Sequence, residues 1–72
     1  MARLNKYVAK LINEYKCVAV DKYGNYVFSN YIWYIADRID KYCVGDFDLW
    51  VDGKMVYNPK DYLRAAGGTR WK

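Results

Sequence analysis

The chain has 72 residues, 54% of them hydrophobic and 19% aromatic, and at this length only about 60% of the unfolded surface can be buried, so one small domain must draw its core from large side chains. Its 12 Lys and Arg exceed its 8 Asp and Glu, giving a net charge of +4, and it holds no His, one Ser and one Thr. Serine, cysteine and zinc hydrolase chemistry is thereby excluded, because an activated nucleophile needs a neighbouring base and a zinc centre needs His or clustered Cys.

The first element is a helix. Leu4, Tyr7, Val8, Leu11, Ile12 and Tyr15 recur at i, i+3, i+4, i+7, i+8 and i+11, which makes one apolar stripe, with Leu11 and Ile12 at its centre. Arg3, Lys6, Lys10 and Asn13 fall on the opposite face as a cationic ridge. Cys17 to Asp21 and Tyr26 to Ser29 are then two short β-prone runs around a turn, in which the Asp21 carboxylate can cap and Gly24 can take a left-handed conformation.

Ser29 or Asn30 offers an N-cap to a second helix that runs to about Tyr42 and is released at Gly45. Ile32, Ile35, Ile39 and Tyr42 form its core stripe, flanked by Tyr31 and Tyr34, with Arg38 at the edge and Trp33 pointing away. Next, Phe47, Leu49 and Val51 alternate with Asp46, Asp48 and Trp50, the period of a strand with one buried face. Asp52-Gly53 is a type I′ hairpin turn, and Lys54 to Tyr57 returns. Asn58 caps a short last helix that opens at Pro59, places Asp61 in a capping box and ends at Gly67. Residues 68 to 72 are expected to form a flexible basic tail.

These elements read as a tandem repeat. Tyr7, Val8, Ala9, Ile12 and Tyr15 return 27 positions later as Tyr34, Ile35, Ala36, Ile39 and Tyr42, and each half is one helix followed by one hairpin. The expected fold is α+β in the order αββαββα: one domain over residues 1–67, built from αββ units at about 3–29 and 30–57. It would be a four-stranded antiparallel sheet with the two longer helices on one face and the short C-terminal helix appended. That order of elements is similar to the LAGLIDADG homing endonucleases, although this chain is much shorter and lacks their motif at the end of the first helix.

No apolar run approaches the roughly 18 residues of a membrane span and no signal-peptide pattern opens the chain, so the expected setting is the cytoplasm, with Cys17 and Cys43 reduced. Glycine-rich phosphate loops are missing. Asp46 and Asp48 could share a divalent cation but read better as the wet side of a strand, so neither metal nor cofactor is expected, and the chain does not read as an enzyme.

Binding is the better reading, since Trp and Tyr dominate interaction hot spots. Trp33, Trp50 and Tyr23 fall outside the expected core, and with Arg38, Asp46 and Asp48 they make the candidate partner surface. The expectation is a non-enzymatic binding protein, a stoichiometric inhibitor or accessory factor of viral or mobile-element type, which covers the working surface of a partner protein. The alternative is a basic nucleic-acid-binding protein, with Arg3, Lys6, Lys10, Arg70, Trp71 and Lys72 on phosphates or bases and stacking from Trp50 or Tyr26 on an open sheet face. Asp46 and Asp48 beside Trp50 speak against that alternative, because they would repel a phosphate backbone where stacking must occur. A small-molecule sponge and a homodimer through the exposed aromatics stay open.

Overall fold

A computed structural model describes residues 5 to 66. The order is α1 (Lys6–Glu14), β1 (Cys17–Asp21), β2 (Tyr26–Ser29), α2 (Ile32–Tyr42), β3 (Phe47–Val51), β4 (Lys54–Met55) and α3 (Pro59–Ala66). The strands form one antiparallel sheet in the order β2-β1-β3-β4, so the fold is α+β as the sequence predicts. Leu4, Gly67 and the tail at 68–72 lie outside the described residues.

Helix α1 starts where Asn5 caps it, the side-chain oxygen accepting from Val8 N at 2.8 Å. Its stripe buries Val8 and Leu11, with Ile12 and Tyr15 half-buried, while Tyr7 stays exposed at the edge of the stripe. Helix α2 begins later than the sequence suggests. Its N-cap is Tyr31, and neither Ser29 nor Asn30 caps it: Ser29 Oγ accepts from Tyr31 N at 3.1 Å, and Asn30 Oδ1 accepts from Lys16 N at 3.2 Å. Both side chains are taken up in bracing the chain between β2 and α2. Asp61 likewise meets Arg64 Nη1 at 2.7 Å, one turn along α3, where a capping box was expected.

The helices occupy opposite faces of the sheet, which corrects the one-face arrangement. Val18 and Val20 of β1 point to Val8 and Leu11 of α1, together with Tyr26 and Phe28. Cys17 and Ala19 point the other way, to Ile35, Ala36 and Ile39 of α2, with Val27, Leu49 and Leu63 of α3. Every residue of β1 is buried, as a central strand covered on both faces requires. Tandem symmetry does not extend to this arrangement. A two-fold axis that exchanges the antiparallel neighbours β1 and β3 must stand normal to the sheet, and it would leave both helices on one side. The two halves share an order of elements, not a packing.

Both hairpin turns form as their residues demand. Gly24 (φ 87°) closes the first, and Asp52 (φ 53°) with Gly53 (φ 79°) makes the second, the pair of positive values of a type I′ turn. The first turn is held by Asp21, which is fully buried. Its Oδ1 accepts from Tyr23 N and Asn25 N, both at 2.9 Å, and its Oδ2 accepts from Asn25 Nδ2 at 3.0 Å and Val44 N at 2.8 Å. The last bond reaches the segment that leaves α2. Burial alone would push this carboxyl up, but the bonds from Val44, Asn25 and Tyr23 outweigh it and hold it below the usual carboxylate value.

Two stability measurements follow from this packing. Leu11→Ala should cost about 2 to 5 kcal/mol in urea unfolding, and a loss under about 1 kcal/mol would mean that α1 is not anchored by its stripe. Asp21→Ala strands several buried donors and should cost about 3 kcal/mol or more at pH 7. Because the folded pKa of Asp21 is depressed, its contribution is complete above the unfolded value near about 3.9 and is lost as pH falls through the folded one. The wild-type unfolding midpoint should therefore drop as pH is lowered from about 4 to 2, and Asp21→Asn should flatten that drop; equal slopes in the two proteins would contradict the assignment.

Candidate functional site

Helix α2 distributes its residues over three faces. Ile35, Ala36 and Ile39 are buried against the sheet. Tyr31, Tyr34, Arg38 and Tyr42 recur at three- and four-residue steps and therefore line one flank. Trp33, Asp37, Asp40 and Lys41 face outward.

An aromatic cluster forms where the flank meets the outer face. Trp33 is 56% exposed and Tyr31 62% exposed, with their ring centroids 5.8 Å apart. Tyr34 meets the Trp33 ring edge-on at 6.2 Å. The Arg38 guanidinium lies over the Tyr34 ring at 4.0 Å and its Nη1 contacts Asp37 Oδ2 at 3.1 Å. Arg38, which stands where α1 has the buried Leu11, thus reaches both a carboxylate and the surface.

The other candidate residues lie elsewhere. Tyr23 is 67% exposed at the tip of the first hairpin, with the Lys22 ammonium 5.2 Å from its ring. Asp46 precedes β3 and pairs with Lys60 of α3 at 3.6 Å. Asp48 and Trp50 are half-buried on β3 opposite Val20 and Val18, on the face that α1 covers. The Trp50 Nε1 is shielded from solvent and meets no hydrogen-bond acceptor among the described residues. Trp33 and Trp50 therefore stand on opposite sides of the sheet and do not form one patch.

Lys6 and Lys10 are exposed on α1, and Lys10 lies 3.9 Å from Glu14. Arg3, Arg70, Trp71 and Lys72 lie outside the described residues. On β2 the face expected to stack on bases is covered. Tyr7 packs edge-on against Tyr26 at 5.7 Å and Tyr15 lies 4.6 Å from Phe28, so α1 roofs the rings that bases would need. Burial, reinforced by the Tyr7 hydroxyl, raises the Tyr26 phenol above its ordinary value.

Tyr31, Tyr34 and Tyr42 join the contact residues that the sequence predicts, and their helical spacing with Arg38 is the signal that points to them. The apolar spacing predicts Tyr42 in the core stripe, yet it is 47% exposed. It also lines, with Tyr34, a surface groove of about 530 Å³ along β2. Among the described residues no group of three or more His, Cys, Asp or Glu could hold a metal ion, and no helix is long and apolar enough to cross a membrane. Comparison with protein-family models, with curated proteins and with solved structures finds no match.

Both cysteines are free and buried. Cys43 Sγ faces the carbonyl oxygens of Asn25 at 3.6 Å and Ala19 at 3.9 Å. Burial, with the nearby Asp21 charge, pushes its thiol up to about 11, and burial also raises Cys17. At pH 8 iodoacetamide should accordingly label the native protein roughly a hundredfold more slowly than the unfolded chain. Comparable rates, read by mass spectrometry, would show that the thiols are open to solvent.

Proposed function

We propose that this chain is a small non-enzymatic binding protein, a stoichiometric inhibitor or accessory factor, whose contact surface is the part of α2 carrying Tyr31, Trp33, Tyr34 and Arg38. It acts by covering a surface of a partner protein. The observation that carries this reading is the exposure of Trp33 and Tyr31 side by side, on a helix whose opposite face is locked into the core. Trp, Tyr and Arg are the residue types enriched at interaction hot spots. Aromatic rings on a rigid helix also lose little conformational freedom on binding, so more of their buried area appears as affinity. The sequence has no His, and no cluster of metal ligands occurs among the described residues, so the commonest catalytic groups are missing and recognition is the use that this surface favours.

Nucleic-acid binding is the less favoured reading because α1 roofs Tyr26 and Phe28 and Trp50 is half-buried, which leaves little open ring surface on the face that would stack on bases. Two variants separate the readings. Capture of a partner from nuclease-treated lysate, with its affinity then measured on the purified pair, should weaken by about 30-fold or more in Trp33→Ala, while Lys6→Ala/Lys10→Ala should chiefly slow association. If Trp33→Ala leaves the affinity within threefold of wild type, while the protein binds a DNA duplex with a salt slope that falls by about 1.8 in the double lysine variant, the nucleic-acid reading replaces this one.

A further inference from the structure

We propose that the outer edge of β2 is a strand-addition site for an extended peptide segment of the partner, which pairs with the backbone of Tyr26 and Phe28 and presents a carboxylate side chain to Arg38. This rests on the reading of the chain as a binder of proteins and names the mode of recognition.

Backbone register makes the edge available. Among the described residues β2 pairs with β1 alone. Asp21 N donates to the Asn25 carbonyl at 2.9 Å, which sets the phase of the ladder. Hydrogen-bonded pairs then recur every second residue, at Ala19 with Val27 and at Cys17 with Ser29. Tyr26 and Phe28 occupy the alternate positions, so their N–H and C=O groups point away from β1. An edge strand in this state is a template for another strand, and natural sheets usually blunt it with charge, proline or brevity. The run Tyr26-Val27-Phe28-Ser29 carries neither charge nor proline.

Side chains shape the groove beside this edge. Tyr34 and Tyr42 line it from α2, and Arg38 stands between them in the helical sequence, already held against Tyr34. Residues four apart on a helix rise about 6 Å, close to the roughly 6.7 Å between alternate residues of a strand. A strand laid along β2 can therefore place three successive same-face side chains against Tyr34, Arg38 and Tyr42. The pattern that fits is apolar, acidic, apolar at alternate positions. Asp37 engages one nitrogen of Arg38, and a guanidinium carries five donors in a planar fork that suits a further carboxylate.

A second copy of this chain fits the edge poorly. Pairing of two β2 strands about a two-fold would bring two α2 helices onto the same face, and α2 packs over β2 itself through Val27. Helix axes need about 8 to 10 Å of separation, and the flank residues Tyr34, Arg38 and Tyr42 of both copies would compete for the same groove with two guanidinium groups in apposition. A single extended strand brings no helix and supplies the opposite charge.

The probe is a display library of random linear dodecapeptides selected on the full chain. Enriched peptides should carry Asp or Glu flanked at the −2 and +2 positions by apolar residues. N-methylation of alternate backbone amides in such a peptide should weaken binding at least tenfold in one phase and little in the other, because only one phase of amides faces β2. Arg38→Gln should weaken it about tenfold, and Arg38→Glu should shift selection towards Lys or Arg at the central position. Peptides indifferent to N-methylation but lost in Trp33→Ala would overturn strand addition and leave the proposed protein-binding function standing. A library that yields no enriched peptide overturns it too. A dimer at tens of micromolar by sedimentation, dissolved by Phe28→Pro, would give the edge to a second copy instead.

Discussion

The Asp21 carboxylate is the constraint on which the rest of the arrangement depends. It sits at the end of the central strand with no solvent contact, and its oxygens take up donors from the first hairpin turn and from the segment leaving α2. A charge in that position is tolerable only because the surrounding N–H groups solvate it, and those groups would themselves be stranded without it. One side chain thus fixes the turn that sets the β1 and β2 register and pins the C-terminal end of α2 to the hairpin tip.

Much of the fold was legible because each element is punctuated by residues with one physical use. Asp21 and Gly24 at the first turn, Asp52-Gly53 at the second and Pro59 at the start of α3 all act as their chemistry predicts. Which face each helix covers was not legible, because repetition suggested a symmetry that packing does not follow. The contrary signal lay in Cys17-Val18-Ala19-Val20. A strand with one wet face alternates apolar and polar residues, whereas this run is apolar throughout and so needs cover on both sides.

The same misplacement separated the candidate residues. Trp33 emerges on the outside of α2 as helical spacing requires, since nothing on its own element competes for that face. Trp50 obeys its strand alternation equally well and lies on the face opposite the α2 layer, yet it is only half-exposed. Periodicity within one element reports direction relative to that element; it does not report what another element lays on top. Tyr42 shows the converse. It stands on the edge of an apolar stripe, and the sheet ends before it can cover the ring.

The two margins of the sheet are unequal. At one side β4 is two residues long, exposed and marked by Lys54, whereas at the other β2 offers four uncharged residues. Growth of a continuous fibre through edge pairing requires two compatible margins, one to receive and one to offer. This sheet has one. Whatever joins it there terminates the stack, so the asymmetry guards the molecule against open-ended polymerisation.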